Sequence, residues 1–161
     1  MSDYMAGWKR LTGAEIDNLE VTLRYDVSKL ESHIEPSFII GGDSHYSKKH
    51  TLFIVVLVID TNGNGASGYY KEIHVNKEMT MKERLFIEAY HAVEQAMVIE
   101  PILNDMDHMI DCIHLDLNPN AKFKSNEAVT SAVGYVKSMA FDCKIKPDAV
   151  VGSIVADKWT K

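Results

Sequence analysis

The chain has 161 residues, 46% hydrophobic and 25% charged, which is the composition of one ordinary globular domain able to bury a core without staples. A formal net charge of −6 excludes a protein that coats nucleic acid by bulk electrostatics. It leaves room for an enzyme that meets nucleic acid through a local basic patch and metal ions: residues 119–161 hold seven Lys against four acids, an excess of +3, so the remainder carries −9.

Cys112 and Cys143 lie far apart and outside any C-x-x-C, so they make no disulfide framework; a reduced, cytoplasmic protein is expected. Residues 1–10 hold no apolar leader, and the longest apolar run, residues 52–59, is eight residues, too short to cross a bilayer. No membrane partner is expected, and no linker or repeat divides the chain, which reads as a single domain over 1–161.

Residues 1–12 read as a loose lead-in. Thr12 is placed to cap a helix over about 13–31, with Ile16, Leu19, Leu23, Val27 and Leu30 at helical spacing and Pro36 as its stop. Three strands follow, at 37–44, 51–60 and 69–75, the last two joined by the turn-rich residues 60–68; together they predict an antiparallel meander. Thr80 and Glu83 form a capping box at the head of a helix expected to run to about Ile99, where Pro101 breaks or kinks it. A strand at 112–117, a helix at 126–139 capped by Ser125, a strand at 142–146 and a helix at about 148–159 complete the order. The whole predicts an α/β fold: a five-stranded mixed sheet, three strands in the meander and two parallel, covered by helices on both faces.

Four carboxylates on this scaffold need a physical reason. Asp43 follows Ile39, Ile40, Gly41 and Gly42 in what should be a central strand. A carboxylate there is costly unless paired or bound to metal, or unless it begins a turn into Ser44, His45 and Tyr46. Asp116 shares a strand face with His114 and Asn118, because Ile113, Leu115 and Leu117 alternate with them; that face is either solvated or covered by a crossover helix. Asp148 opens the last helix, where the dipole alone would favour it. Asp157, nine residues on, lies about 13 Å along that helix and cannot join the same cluster. On the middle helix the apolar face is Met81, Leu85, Ala89, Ala92, Val93 and Ala96. Glu88 falls at its edge, free to reach the sheet or to pair with Arg84 or His91, while Glu83 and Glu94 point to solvent. Acids converging at strand ends would repel one another, and hard Mg2+ or Mn2+ ions relieve that repulsion. Two such ions serve in-line displacement at phosphate. Lys144 and Lys146 either contact phosphates there or form a solvated strand end.

These residues resemble a known pattern. The order of elements, with Asp in the first meander strand, Glu on the next helix, Asp in the fourth strand and Asp after the fifth, is similar to the ribonuclease H-like fold. More narrowly, the sequence resembles the bacterial YkuK-type family of ribonuclease H-like proteins. The resemblance rests on Ile40 to Ser44, Lys82 to Glu88, His114 to Pro119, residues 125–137 with Val133 to Lys137, Lys144 to Ala149 and Val155 to Lys158, and it covers about residues 14–160. It implies metal-dependent phosphodiester hydrolysis of nucleic acid, with Asp43, Glu88, Asp116 and Asp148 as the catalytic, metal-holding carboxylates. The helix ligand is Glu88, or Glu83 if the helix shifts register. The alternative is an inactive module of the same fold that binds nucleic acid or a protein partner. Two positions depart from the pattern: Gly42 stands where a residue such as Thr is expected, and His45 where an amide is usual. Other chemistries find less support. Cys112, His114 and Cys143 lack the clustered spacing of a zinc site, and neither a P-loop nor a nucleophile elbow is present.

Overall fold

The computed structural model describes residues 2–117 and 126–145. After a short 3-10 turn at Ser2–Met5 come β1 (Trp8–Arg10), α1 (Leu19–Ser28), β2 (Ser37–Ser47), β3 (His50–Asp60), β4 (Ala66–Val75), α2 (Met81–Asn104), β5 (Cys112–Leu115), α3 (Asn126–Ser138) and β6 (Cys143–Lys144). The described strands form one six-stranded sheet in the order β1-β4-β3-β2-β5-β6. β2, β3 and β4 are the predicted antiparallel meander; β5 joins β2 in parallel and β6 joins β5 in parallel. The predicted final helix, the Ser125 cap and the residues Asn118, Lys146, Asp148 and Asp157 lie outside the described residues.

The sheet has six strands where five were expected, and the extra one comes from the supposed lead-in. Trp8 is 1% exposed, and Trp8, Lys9 and Arg10 pair antiparallel with Lys71, Tyr70 and Tyr69. A segment of only three residues carries too little periodicity to announce a strand; the tryptophan is anchored by burial and by its Nε1 donating to the Tyr4 carbonyl at 2.8 Å. Residues 11–15 then turn back, with Arg10 N–H donating to the Ala14 carbonyl and a bridge between Lys9 and Glu15. For that reason the first helix starts at Leu19 rather than near residue 13. Its cap is Asn18, whose Oδ1 accepts from the Val21 N–H at 3.0 Å, and not Thr12. Leu19, Leu23 and Val27 are the three residues it buries, each stabilising by about 1.5–3 kcal/mol.

The second correction is at Pro101. The helix runs through it to Asn104. Proline removes one helical hydrogen bond and crowds the carbonyl four residues back, at Met97. That cost is offset because the last turn buries Ile102 and Leu103, 6% and 0% exposed. At the other end the predicted capping box forms: Thr80 Oγ1 accepts from the Glu83 N–H and donates to Glu83 Oε1, both at 3.1 Å.

Alternation divides the sheet into two faces. Phe38, Ile40, Val55, Leu57, Ile59 and Tyr69 pack with α1, α2 and α3 in the main core. Ile54, Val56 and Tyr70 form a smaller cluster on the opposite face. All three described α-helices therefore cover one face; the predicted final helix falls outside the described residues. A Cβ at Gly68 would lie 2.3 Å from the Leu57 carbonyl oxygen, so only glycine lets β4 approach β3 so closely there. No described helix is long and apolar enough to cross a membrane.

Candidate acidic active site

The parallel register between β2 and β5 builds the first half of the site. Ile39, Ile40, Gly41 and Gly42 pair with Cys112, Ile113, His114 and Leu115, so the next step sets Asp43 beside Asp116. Asp43 is 9% exposed. One of its oxygens accepts from the Ser44 N–H at 2.8 Å, and Asp116 lies within hydrogen-bonding reach of its side chain. His45 Nε2 stands 3.9 Å from Asp43 Oδ2, beyond a hydrogen bond but close enough to favour its ionised form.

The second half comes from α2. Phe38, Ile40 and Gly42 face this helix, and a Cβ at Gly42 would meet the Glu88 carbonyl at 3.3 Å and the Ala92 Cβ at 3.4 Å. Gly42 thus lets α2 sit against β2 at Glu88. Glu88 is 2% exposed, and its Oε2 accepts from Ser44 Oγ at 2.8 Å. Ser44 is held in turn by Arg84, whose Nη1 donates to Ser44 Oγ at 3.0 Å and to the Ser44 carbonyl at 3.4 Å. Glu88 Oε1 is buried with no hydrogen-bond partner in the structure. Glu83, occupied in the capping box and exposed, takes no part in this cluster. His91 does not partner Glu88 either; its ring packs against Phe53 and Tyr90.

The electrostatics follow from burial and like charge. Burial first, and then Asp116, push the Asp43 carboxyl up to about 6. Glu88 is pushed well above the ordinary range by burial and by Asp43, with Ser44 and Arg84 pulling the other way. Two buried carboxyls, on β2 and α2, therefore lie beside each other and beside the half-buried Asp116, which follows β5. The donors are all oxygen, the set that suits a hard divalent cation, and the buried Glu88 Oε1 is an acceptor with nothing yet to accept from. Among the described residues no group of three His, Cys, Asp or Glu side chains is by itself placed to hold a metal ion. Mg2+ does not need one, since it is commonly held through one or two carboxylates, with waters and substrate phosphates completing the shell.

Of the expected residues the structure brings together Asp43, Glu88 and Asp116. Lys144 lies one strand further out, exposed on β6 in register with His114. Asp148 and Lys146 are outside the described residues. Cys143 pairs in register with Ile113, whose neighbour Cys112 points to the opposite face, so the two thiols and His114 do not form a zinc cluster; both cysteines are free. Ser44 and the relay role of Arg84 were missed. Ser44 could be found only once β2 alternation and the facing turn of α2 are known.

A sheet with a three-stranded antiparallel meander followed by parallel additions, carrying carboxylates on the first meander strand, just past the end of β5 and on the intervening helix, defines a protein class. Residues 24–161 match the family described as "Ribonuclease H-like", and the chain belongs to that family. The chain is similar to a Bacillus subtilis (strain 168) protein described as "Uncharacterized protein YkuK", 27% identical over 135 residues, covering 76% of this chain and 77% of that one. No solved structure matches.

Proposed function

We propose that this protein is a metal-dependent phosphodiester hydrolase acting on nucleic acid, with Asp43, Glu88, Asp116 and Asp148 as the carboxylates that hold Mg2+ or Mn2+. The observation that carries this reading is the burial of Asp43 and Glu88 with the half-buried Asp116 beside them, so that burial and a neighbouring acid both raise the two buried carboxyls. Such a cluster costs the fold stability when ionised, and a bound cation would offset that cost. A bound divalent ion would supply charge to stabilise the leaving oxygen and to activate a water. The chain's own groups do the rest. Ser44 holds one oxygen of Glu88 and leaves the other free to ligate; Arg84 fixes Ser44 and places a positive charge behind the cluster. Asp43 sits on β2 and Asp116 follows directly on β5, whose parallel pairing with β2 brings the two side by side. Lys144 and Lys146, in the Lys-rich segment 119–161, are the groups proposed to meet phosphates.

The test is a cleavage panel of RNA, RNA–DNA hybrid, and single-stranded and branched DNA with Mn2+. The hydrolase reading expects nicking of at least one substrate, abolished by Asp43→Asn while binding is kept or tightened. Lys144→Ala with Lys146→Ala should weaken binding and flatten its salt dependence. Salt-sensitive association with no cleavage in any metal would instead identify a non-catalytic binding module. Cleavage surviving both Asp43→Asn and Asp116→Asn would remove the support for the enzyme.

A further inference from the structure

At the end of the β3–β4 pair, on the sheet face away from the helices, two histidines are set nitrogen to nitrogen. Thr51 pairs with Val75 and Leu52 with His74, so the next position out sets His50 opposite Asn76. Three contacts run in a line: His50 Nδ1 to Asn76 Oδ1 at 3.1 Å, His50 Nε2 to His74 Nδ1 at 3.1 Å, and His74 Nε2 to Glu72 Oε2 at 3.4 Å. The Glu72 carboxylate, at ion-pair distance, favours the His74 proton on Nε2. Asn76 Oδ1 only accepts, so a neutral His50 carries its proton on Nδ1. With protons on both outer nitrogens, the two inner nitrogens turn lone pairs toward each other at 3.1 Å, where one cation can bind both in place of a shared proton.

We propose that His50 and His74 form a two-imidazole site for a d-block divalent cation such as zinc. Two nitrogens each about 2.05 Å from one ion stand about 2.9 Å apart at a right angle and about 3.3 Å apart at the tetrahedral angle, and 3.1 Å lies between them. A carboxylate and an amide oxygen beside the outer ring nitrogens are the partners that orient imidazole ligands. The His74 side chain is 56% exposed, so water can fill the remaining coordination positions. Imidazole donors select zinc, nickel or copper over magnesium, which separates this site chemically from the oxygen-only cluster at Asp43. It is also separate along the strand: His50 is four residues from Ile54, the register partner of Asp43, or about 13 Å at roughly 3.3 Å per residue.

The experiment is calorimetric titration of the full chain with Zn2+ at neutral pH, in millimolar Mg2+ to occupy the oxygen site. One saturable zinc per chain is expected. It should be kept in Asp43→Asn and lost in His50→Ala and in His74→Ala, whose melting temperatures without zinc should stay near wild type. Glu72→Gln should weaken binding about tenfold or more, as loss of an orienting carboxylate does. Absence of saturable zinc binding would mean that a shared proton occupies the histidine pair, and would overturn the proposal. Binding that persists in the His50→Ala, His74→Ala double variant would overturn it equally, by placing zinc on other groups.

Discussion

Asp43 is held where ionisation is expensive, and the consequences can be measured. Its carboxyl titrates near 6 in the fold against an ordinary value of 3.8. Between those values the folded chain binds more protons than the unfolded one, so this group's stabilising contribution is fully present below pH about 4 and is lost as pH rises through 6. A shift of that size corresponds to about 3 kcal/mol. Asp43→Asn should therefore melt above wild type at pH 7.5 in chelator, and the gap should close as pH falls to 4. Thermal melts of the two proteins across pH check this; a constant gap would show that burial of Asp43 is not what costs stability. Ser44 acts in the opposite sense. Ser44→Ala removes the hydroxyl that supports Glu88 Oε2 and leaves a carboxylate 2% exposed with less support. A loss of about 1–3 kcal/mol is expected by denaturant titration, with Ser44→Thr recovering part of it.

At the scale of elements, two short features govern how the larger ones fit. β1 is three residues long, yet it covers the β4 edge and inserts Trp8 into the core beside α1. Trp8→Ala should cost about 3–5 kcal/mol, and deleting residues 2–10 should in addition expose the β4 edge and promote self-association, visible by light scattering. α1 is tied to the same edge: Arg10 donates to Asp26 at 2.9 Å, and the Tyr69 hydroxyl donates to Asp26 as well. Gly42 sets the distance from β2 to α2. Gly42→Ala would place a methyl 3.3 Å from the Glu88 carbonyl, so α2 must give by a few tenths of an ångström. A loss of about 1–3 kcal/mol is expected, and because the displaced turn carries Glu88, the Mn2+ response should weaken along with stability. A variant as stable and as responsive as wild type would show that this contact does not position Glu88.

For the whole molecule, the acidic cluster predicts a cation-dependent fold. A ligand present at 100 times its dissociation constant stabilises by about 2.7 kcal/mol, which for a chain of this size is a rise of several degrees in melting temperature. Wild type should show such a rise in millimolar Mn2+, and Asp43→Asn and Asp116→Asn should not. A wild-type melting temperature indifferent to Mn2+ would count against the proposed metal role while leaving the family assignment, which rests on residues 24–161, in place.

The amino-acid sequence by itself determined the elements whose signals are local. Residues 52–59 announce a buried strand because they are continuously apolar and β-branched, and Thr80 with Glu83 announces a helix start because the capping box is made by groups three residues apart. Local signals also fail locally. Pro101 reads as a break or a kink, and burial of Ile102 and Leu103 carries the helix on to Asn104; Trp8 to Arg10 read as a lead-in because a strand of three residues is stabilised by its partner and not by its own pattern. Asp43, Asp116 and Glu88 could each be singled out as carboxylates in costly places. Only the tertiary structure decided that the β2–β5 register sets Asp43 beside Asp116, and that Gly42 brings in Glu88 while Glu83 stays at the cap. The same is true of the Ser44–Arg84 relay and of the His50–His74 pair, whose members lie 40 and 24 residues apart. Such contacts depend on strand order and helix register, which the packing of the whole chain sets and no local run of residues encodes.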